Sequence, residues 1–180
     1  VKQFQAAVSR ETLVCLDLDA DDYGRRQMYT ATELAIVTSA SVVNHIIAIE
    51  GLPVGLTTRA IDPLTGEETK FAFPPRSERS HLMDILEVLA RVQMTSQAHF
   101  AELVRRSSAT LPWGATIILV TGALNQPLID STMYLRHCGF TPVPILVQPG
   151  PVSGQPNAPA GIPGIAIHRV WEKKDVERMM

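Results

Sequence analysis

Apolar runs of strand length alternate with segments of helical period along this chain, the sequence mark of a parallel sheet covered by helices. Leu13 to Asp19 reads as a buried strand. A helix from about Thr30 to Glu50 brings Leu34, Val37, Ser41, Ile46 and Ile49 near one face, and Gly51 closes it as a C-cap. Pro53 to Thr58 and Thr69 to Phe73 are short strands joined by Asp62-Pro63-Leu64-Thr65-Gly66, a run of turn formers that predicts a hairpin. Ser80 and Ser96 stand where N-caps would, ahead of helices His81 to Val92 and Gln97 to Ser107. Ala115 to Thr121 is a second central strand. The helix after it, Pro127 to His137, has proline in its first turn and Gly139 as its stop. Pro142 to Val147 comes next as a strand that its prolines push toward an edge or leave irregular at its start. Ile165 to Val170 and Lys173 to Met180 complete the series as a strand and a helix.

This order predicts one three-layer α/β/α domain over residues 1–180. Its sheet is mostly parallel, with about six strands and one antiparallel hairpin strand, and Leu13 to Asp19 lies beside Ala115 to Thr121 in its centre. Residues 148–164 carry five prolines and four glycines, which predicts a surface loop. The most membrane-like stretch, Leu34 to Ile49, is interrupted by Thr38, Ser39, Ser41, Asn44 and His45 and reads as a packed helix. The start at Val1, running almost directly into a strand, suggests a piece of a longer protein.

Charge narrows the function classes. Sixteen basic against eighteen acidic residues supply no surplus of cations to neutralise phosphates, so nucleic acid is not an expected partner. Cys15 and Cys138 lack metal-ligand spacing and read as reduced core thiols. No phosphate-cradling glycine loop or G-x-S-x-G elbow occurs, and the five histidines are scattered.

The candidate chemistry sits at the end of the first strand, where T-L-V-C-L-D-L-D-A-D places Asp17, Asp19 and Asp21 at every second position. In open α/β sheets ligands bind in the crevice beyond the carboxyl ends of the strands, so these acids, with Asp22, face the expected binding edge. Their bland reading is that Asp side chains satisfy loose backbone groups wherever a strand gives way to a loop. For Thr95, just ahead of an expected helix, the bland reading is an N-cap.

The order of elements, the acid-rich first loop, the Thr at a helix-to-helix break and the V-T ending the fourth strand resemble a von Willebrand factor A-type domain. E-T-L-V-C-L-D-L-D, E-L-A-I-V-T-S-A-S-V-V and G-L-P-V-G-L-T-T are similar, more narrowly, to the C-terminal half of a bacterial family known as domain of unknown function 58. The resemblance implies a Mg²⁺ or Mn²⁺ site built from D-x-S-x-S, a Thr and the Asp of T-D-G. Here these fall on Asp17-x-Asp19-x-Asp21, Thr95 and Thr121-Gly122-Ala123, so both serines are acids and the last carboxylate is absent. Oxygen ligands of this kind suit hard divalent ions.

The resemblance further implies a non-catalytic protein-interaction domain. Its rim comprises Asp17, Asp19, Asp21, Asp22, Thr95, Thr121 and Gly122 to Asn125, and it grips a partner carboxylate through a metal or binds without one. A MoxR-type AAA+ ATPase is the implied partner, and the implied parent is membrane-anchored with this domain on the cytoplasmic side. The rival is a haloacid dehalogenase-type phosphatase, with Asp17 as nucleophile, Asp19 as proton donor and Thr121 in the second motif. That chemistry also needs a lysine, and beyond Thr121 only Lys173 and Lys174 remain, in the terminal helix.

Overall fold

The spine of the sheet is β1 (Thr12–Leu16), five consecutive buried residues, as a strand covered on both faces requires. A computed structural model describes residues 11–96, 99–149 and 161–179. Chain order continues through α1 (Met28–Asn44, prolonged by a π-helical turn over His45–Ile49), β2 (Val54–Asp62), β3 (Glu67–Arg76), α2 (Arg79–Leu89), α3 (Phe100–Ser108), β4 (Thr116–Thr121), α4 (Gln126–His137), β5 (Thr141–Val147), β6 (His168–Val170) and α5 (Lys173–Met179). The six strands lie in the order β3-β2-β1-β4-β5-β6, with β2 and β3 antiparallel and every other pair parallel. The expected three-layer architecture, hairpin strand and central β1–β4 pair are the observed ones.

Alternation along the strands splits the core in two. Val14 and Leu16 of β1 join Ile118 and Val120 of β4 under α1, α2 and α5; Leu13 and Cys15 join Ile117 and Leu119 under α3 and α4. The same parity carries Asp17 and Thr121 onto the α3/α4 face, and the Asp17 amide extends the ladder by donating to the Val120 carbonyl at 2.9 Å. Together α1 and its π turn, Met28–Ile49, are long and apolar enough to cross a membrane, but half of that stretch is buried in the molecule.

Several expected boundaries move for identifiable reasons. Strand β1 ends at Leu16, and of the acids after it only Asp17 carries the pairing with β4 further, through its amide. The hairpin strands run longer than expected, to nine and ten residues, because the turn at Asp62 to Gly66 lets pairing continue to Asp62↔Glu67. Ser80 lies inside α2, which begins at Arg79 after Glu78, and α3 begins at Phe100 after His99 in the left-handed conformation, so neither Ser80 nor Ser96 is the residue that caps. The expected helix start at Gln97 lies outside the described residues, as do most of the 148–164 loop and Met180.

The proline expectation for β5 has a sharper form. Gln148 donates toward β6, to the Val170 carbonyl at 2.9 Å, so by alternation positions 142 and 144 also face β6. Proline there removes the donors. Accordingly β6 pairs only from Ile145 onward and is three residues long, and the expected strand Ile165 to Val170 begins at His168. Ahead of it, Ile162 is buried in the α3/α4 core, and Arg136 Nη1 of α4 donates to the carbonyls of Pro163 and Gly164 at 3.1 and 2.9 Å. Cys15 is buried as expected, whereas Cys138 is exposed, at the end of α4 where the core face has turned away.

Candidate functional site

Two short loops meet above the carboxyl ends of β1 and β4. The first does not continue the alternation that the sequence suggests, because Ala20–Asp22 folds into a single 3₁₀ turn capped by Asp19, whose Oδ1 accepts from the Asp21 amide at 3.1 Å. The turn points Asp21 outward and swings Asp22 back toward Asp17. Asp17 is fully buried. Its Oδ1 accepts from the Asp19 amide at 3.0 Å, and its Oδ2 lies 2.7 Å from Thr121 Oγ1. Asp22 lies beside the Asp17 carboxyl, and Asn125 Nδ2 donates to Asp22 Oδ1 at 3.1 Å.

A buried carboxyl with a second carboxyl beside it resists ionising. Burial pushes Asp17 well above the usual carboxylate range; the Asp19 amide opposes this and the charge of Asp22 adds to it. Burial raises Asp22 as well, and its contacts with Asp17 and Asn125 oppose the rise. Thr121 agrees. Its hydroxyl has one proton and two acceptors, Asp17 Oδ2 and the Ala123 carbonyl at 2.9 Å, and a protonated Asp17 satisfies both contacts.

Tyr23 completes this end of the crest, and no motif pointed to it. It is buried, its hydroxyl donates to the Asp17 carbonyl at 2.7 Å, and its ring packs on Gly122. Gly122 is needed there for close approach: a Cβ would run into the Tyr23 ring and lie 2.6 Å from the Asp22 carbonyl oxygen. Burial, followed by the nearby Asp17 and Asp22 charges, keeps the Tyr23 phenol neutral well above its ordinary range. The only hint in the sequence was a lone aromatic inside a polar loop.

Thr95 lies where the resemblance put it, but with another role. Its backbone extends the sheet beside the acid loop, its amide donating to the Leu18 carbonyl at 3.0 Å and its carbonyl accepting from Ala20 at 2.8 Å. Its hydroxyl turns away and donates to Glu68 Oε2 of β3 at 2.5 Å. Neither the N-cap reading nor a place facing the acids holds for this side chain. Asn125 caps α4, its Oδ1 accepting from Leu128 at 3.0 Å.

The donor set therefore does not fit a divalent ion in this arrangement. Asp17 has both oxygens committed, the Thr95 hydroxyl faces Glu68, and no group of three acidic, histidine or cysteine side chains among the described residues could hold a metal. Nor does the geometry suit a phosphoryl nucleophile, since Asp17 is sealed from solvent. The rim divides into buried members, Asp17, Thr95 and Thr121, and members that reach solvent at least in part, Asp19, Asp21, Asp22, Gly122 and Asn125. Beside it, Tyr29, Thr32, Glu33 and Ile36 of α1 and Val92, Gln93 and Met94 line a groove of about 440 Å³.

The crystal structure of a conserved hypothetical protein, BatB from Bacteroides thetaiotaomicron, superposes with a TM-score of 0.52 over 95% of both chains at 13% identity. The chain has a BatB-like fold. An aerotolerance-related membrane protein from Bacteroides fragilis is similar at TM-score 0.49 and 14% identity over 94% of both chains. The pilus adhesin SpaC from Lactobacillus rhamnosus GG gives 0.43 and 16% over 64% of this chain and 15% of the adhesin. No family model and no curated protein matches the sequence. Identities this low carry the architecture and no residue roles.

Proposed function

We propose that this is a non-catalytic protein-interaction domain of von Willebrand A type, whose contact surface is the solvent-reaching part of the crest. The observation that carries this reading is the division of the rim. Buried Asp17 and Tyr23 hold the loops together, while Asp21 and Asn125 stand exposed on that frame with the α1 groove beside them. Pre-organised loops on a stiff scaffold bind with less entropy cost than mobile ones. The sealed carboxyl of Asp17 favours recognition over a phosphatase, whose nucleophile must meet its substrate.

The resemblance to the domain of unknown function 58 family extends the proposal to a MoxR-type AAA+ ATPase as partner and a membrane-anchored parent with this domain facing the cytoplasm. The test is a binding titration of the purified protein against the purified MoxR-type ATPase. Asp21→Lys is expected to weaken binding at least tenfold, about 1.4 kcal/mol, and Lys173→Glu on α5 to leave it unchanged. Equal affinity for all three proteins would move the interface off the crest; no binding at all would remove this ATPase as partner.

A further inference from the structure

We infer that in this chain Tyr23 replaces the divalent cation that the resemblance assigns to the crest, so that an aromatic side chain joins the β1 loop to the β4 loop and the surface works without metal. An ion in such a site ties separate loops together by drawing oxygen ligands to one point. Here the oxygens are drawn elsewhere: Asp17 to the Asp19 amide and Thr121, Asp19 to the Asp21 amide, Thr95 to Glu68. Beside the Thr121–Asp17 and Asn125–Asp22 bonds, the loops are tied by one buried residue, which bonds the Asp17 carbonyl through its hydroxyl at 2.7 Å and covers Gly122 with its ring.

The absent acid of the T-D-G element and the presence of Tyr23 are then two halves of one exchange. Any side chain at 122 would enter the space of the ring and approach the Asp22 carbonyl. A carboxylate at 122 and a tyrosine at 23 therefore exclude each other sterically. The groove and the exposed Asp21 are untouched by the exchange, so the crest keeps a binding surface while losing a cation site.

Two measurements test this, and neither needs the partner, so they stand apart from the proposed function. The first uses the unmodified chain, ¹⁵N-labelled and titrated with Mn²⁺ and then Mg²⁺ to millimolar concentration. Diffuse, non-saturating broadening is expected; saturable broadening confined to Asp17 to Tyr23 and Thr121 to Asn125, and lost in Asp17→Asn, would overturn the inference. The second is a thermal-melt cycle. Gly122→Ala is expected to lower the midpoint by about 5 °C in the Tyr23 background, through overpacking, and by clearly less in Tyr23→Leu, where the ring is gone. Equal losses in both backgrounds would mean that ring and glycine are independent and would refute the exchange.

Discussion

Asp17 and Asp21 stand four residues apart in one loop and meet opposite environments. Asp17 lies at the end of the β1 alternation, is fully buried, and is held by the Asp19 amide, Thr121 and Asp22. Asp21 lies within the 3₁₀ turn, exposed, and its amide rather than its carboxylate is what the turn uses. The difference teaches that position relative to the last paired strand residue decides what an acid does. An acid on the parity of the core becomes part of the core's polar lid; within the turn beyond, it becomes surface.

The largest effect that sharpens this contrast is expected at Asp17, and it depends on the replacement. Asp17→Ala leaves the Asp19 amide, Thr121 and Asp22 without their buried partner and should cost about 2–3 kcal/mol in denaturant unfolding. Asp17→Asn keeps the shape of a protonated carboxyl, accepting from Asp19 and donating to Thr121 Oγ1, and should be near neutral. The pH dependence separates them further. The folded state holds the Asp17 proton above the ordinary carboxyl value, so over that window it binds more protons than the unfolded chain, and stability falls as pH rises from about 4 until Asp17 ionises. Asp17→Asn should lose that part of the slope and keep a residue of the same sign from Asp22. If Asn proved as damaging as Ala, Asp17 would be acting as an anion, and a proton held on it in the folded state would be wrong.

That contrast also marks where sequence reasoning stopped. Asp17 and Thr121 were legible together because two parallel strands with known ends bring equal parities to one face. The turn of Asp22 back toward Asp17 and the place of Tyr23 were not, because the 3₁₀ turn resets the period and no spacing rule survives it. The Thr95 backbone lies beside the acid loop, whereas its hydroxyl turns to Glu68, 27 positions away on a strand whose length depended on the hairpin turn. At Gly122 the missing acid was visible in the sequence, but the ring occupying its place was not. The fold was more legible than the site because apolar alternation is repeated over every strand, while each loop contact is specified once.

A smaller effect is expected at Asn125, which belongs to both halves of the comparison. It caps α4 through Leu128 and steadies Asp22 from the solvent side. Asn125→Ala should cost about 1 kcal/mol for the lost cap, while Asn125→Asp keeps the cap acceptor but puts a carboxylate against Asp22. A thermal loss for Asp at neutral pH that shrinks on acidification would show that Asp22 carries charge beside position 125.

The smallest expected change in stability is at Asp21, and it is the one that ties the comparison to function. Its carboxylate is exposed on a turn held by its neighbours, so Asp21→Ala should shift unfolding by no more than about 0.5 kcal/mol. If the solvent-reaching crest is the contact surface, the same substitution should nonetheless weaken partner binding measurably, whereas Asp17→Asn, stable and sealed beneath the surface, should leave binding intact. Reversal of that pattern, with binding sensitive to Asp17→Asn and indifferent to Asp21→Ala, would mean that the buried carboxyl emerges in the complex. The turn over Ala20–Asp22 would then be a moving part, and the rigidity on which the proposed interface rests would be lost.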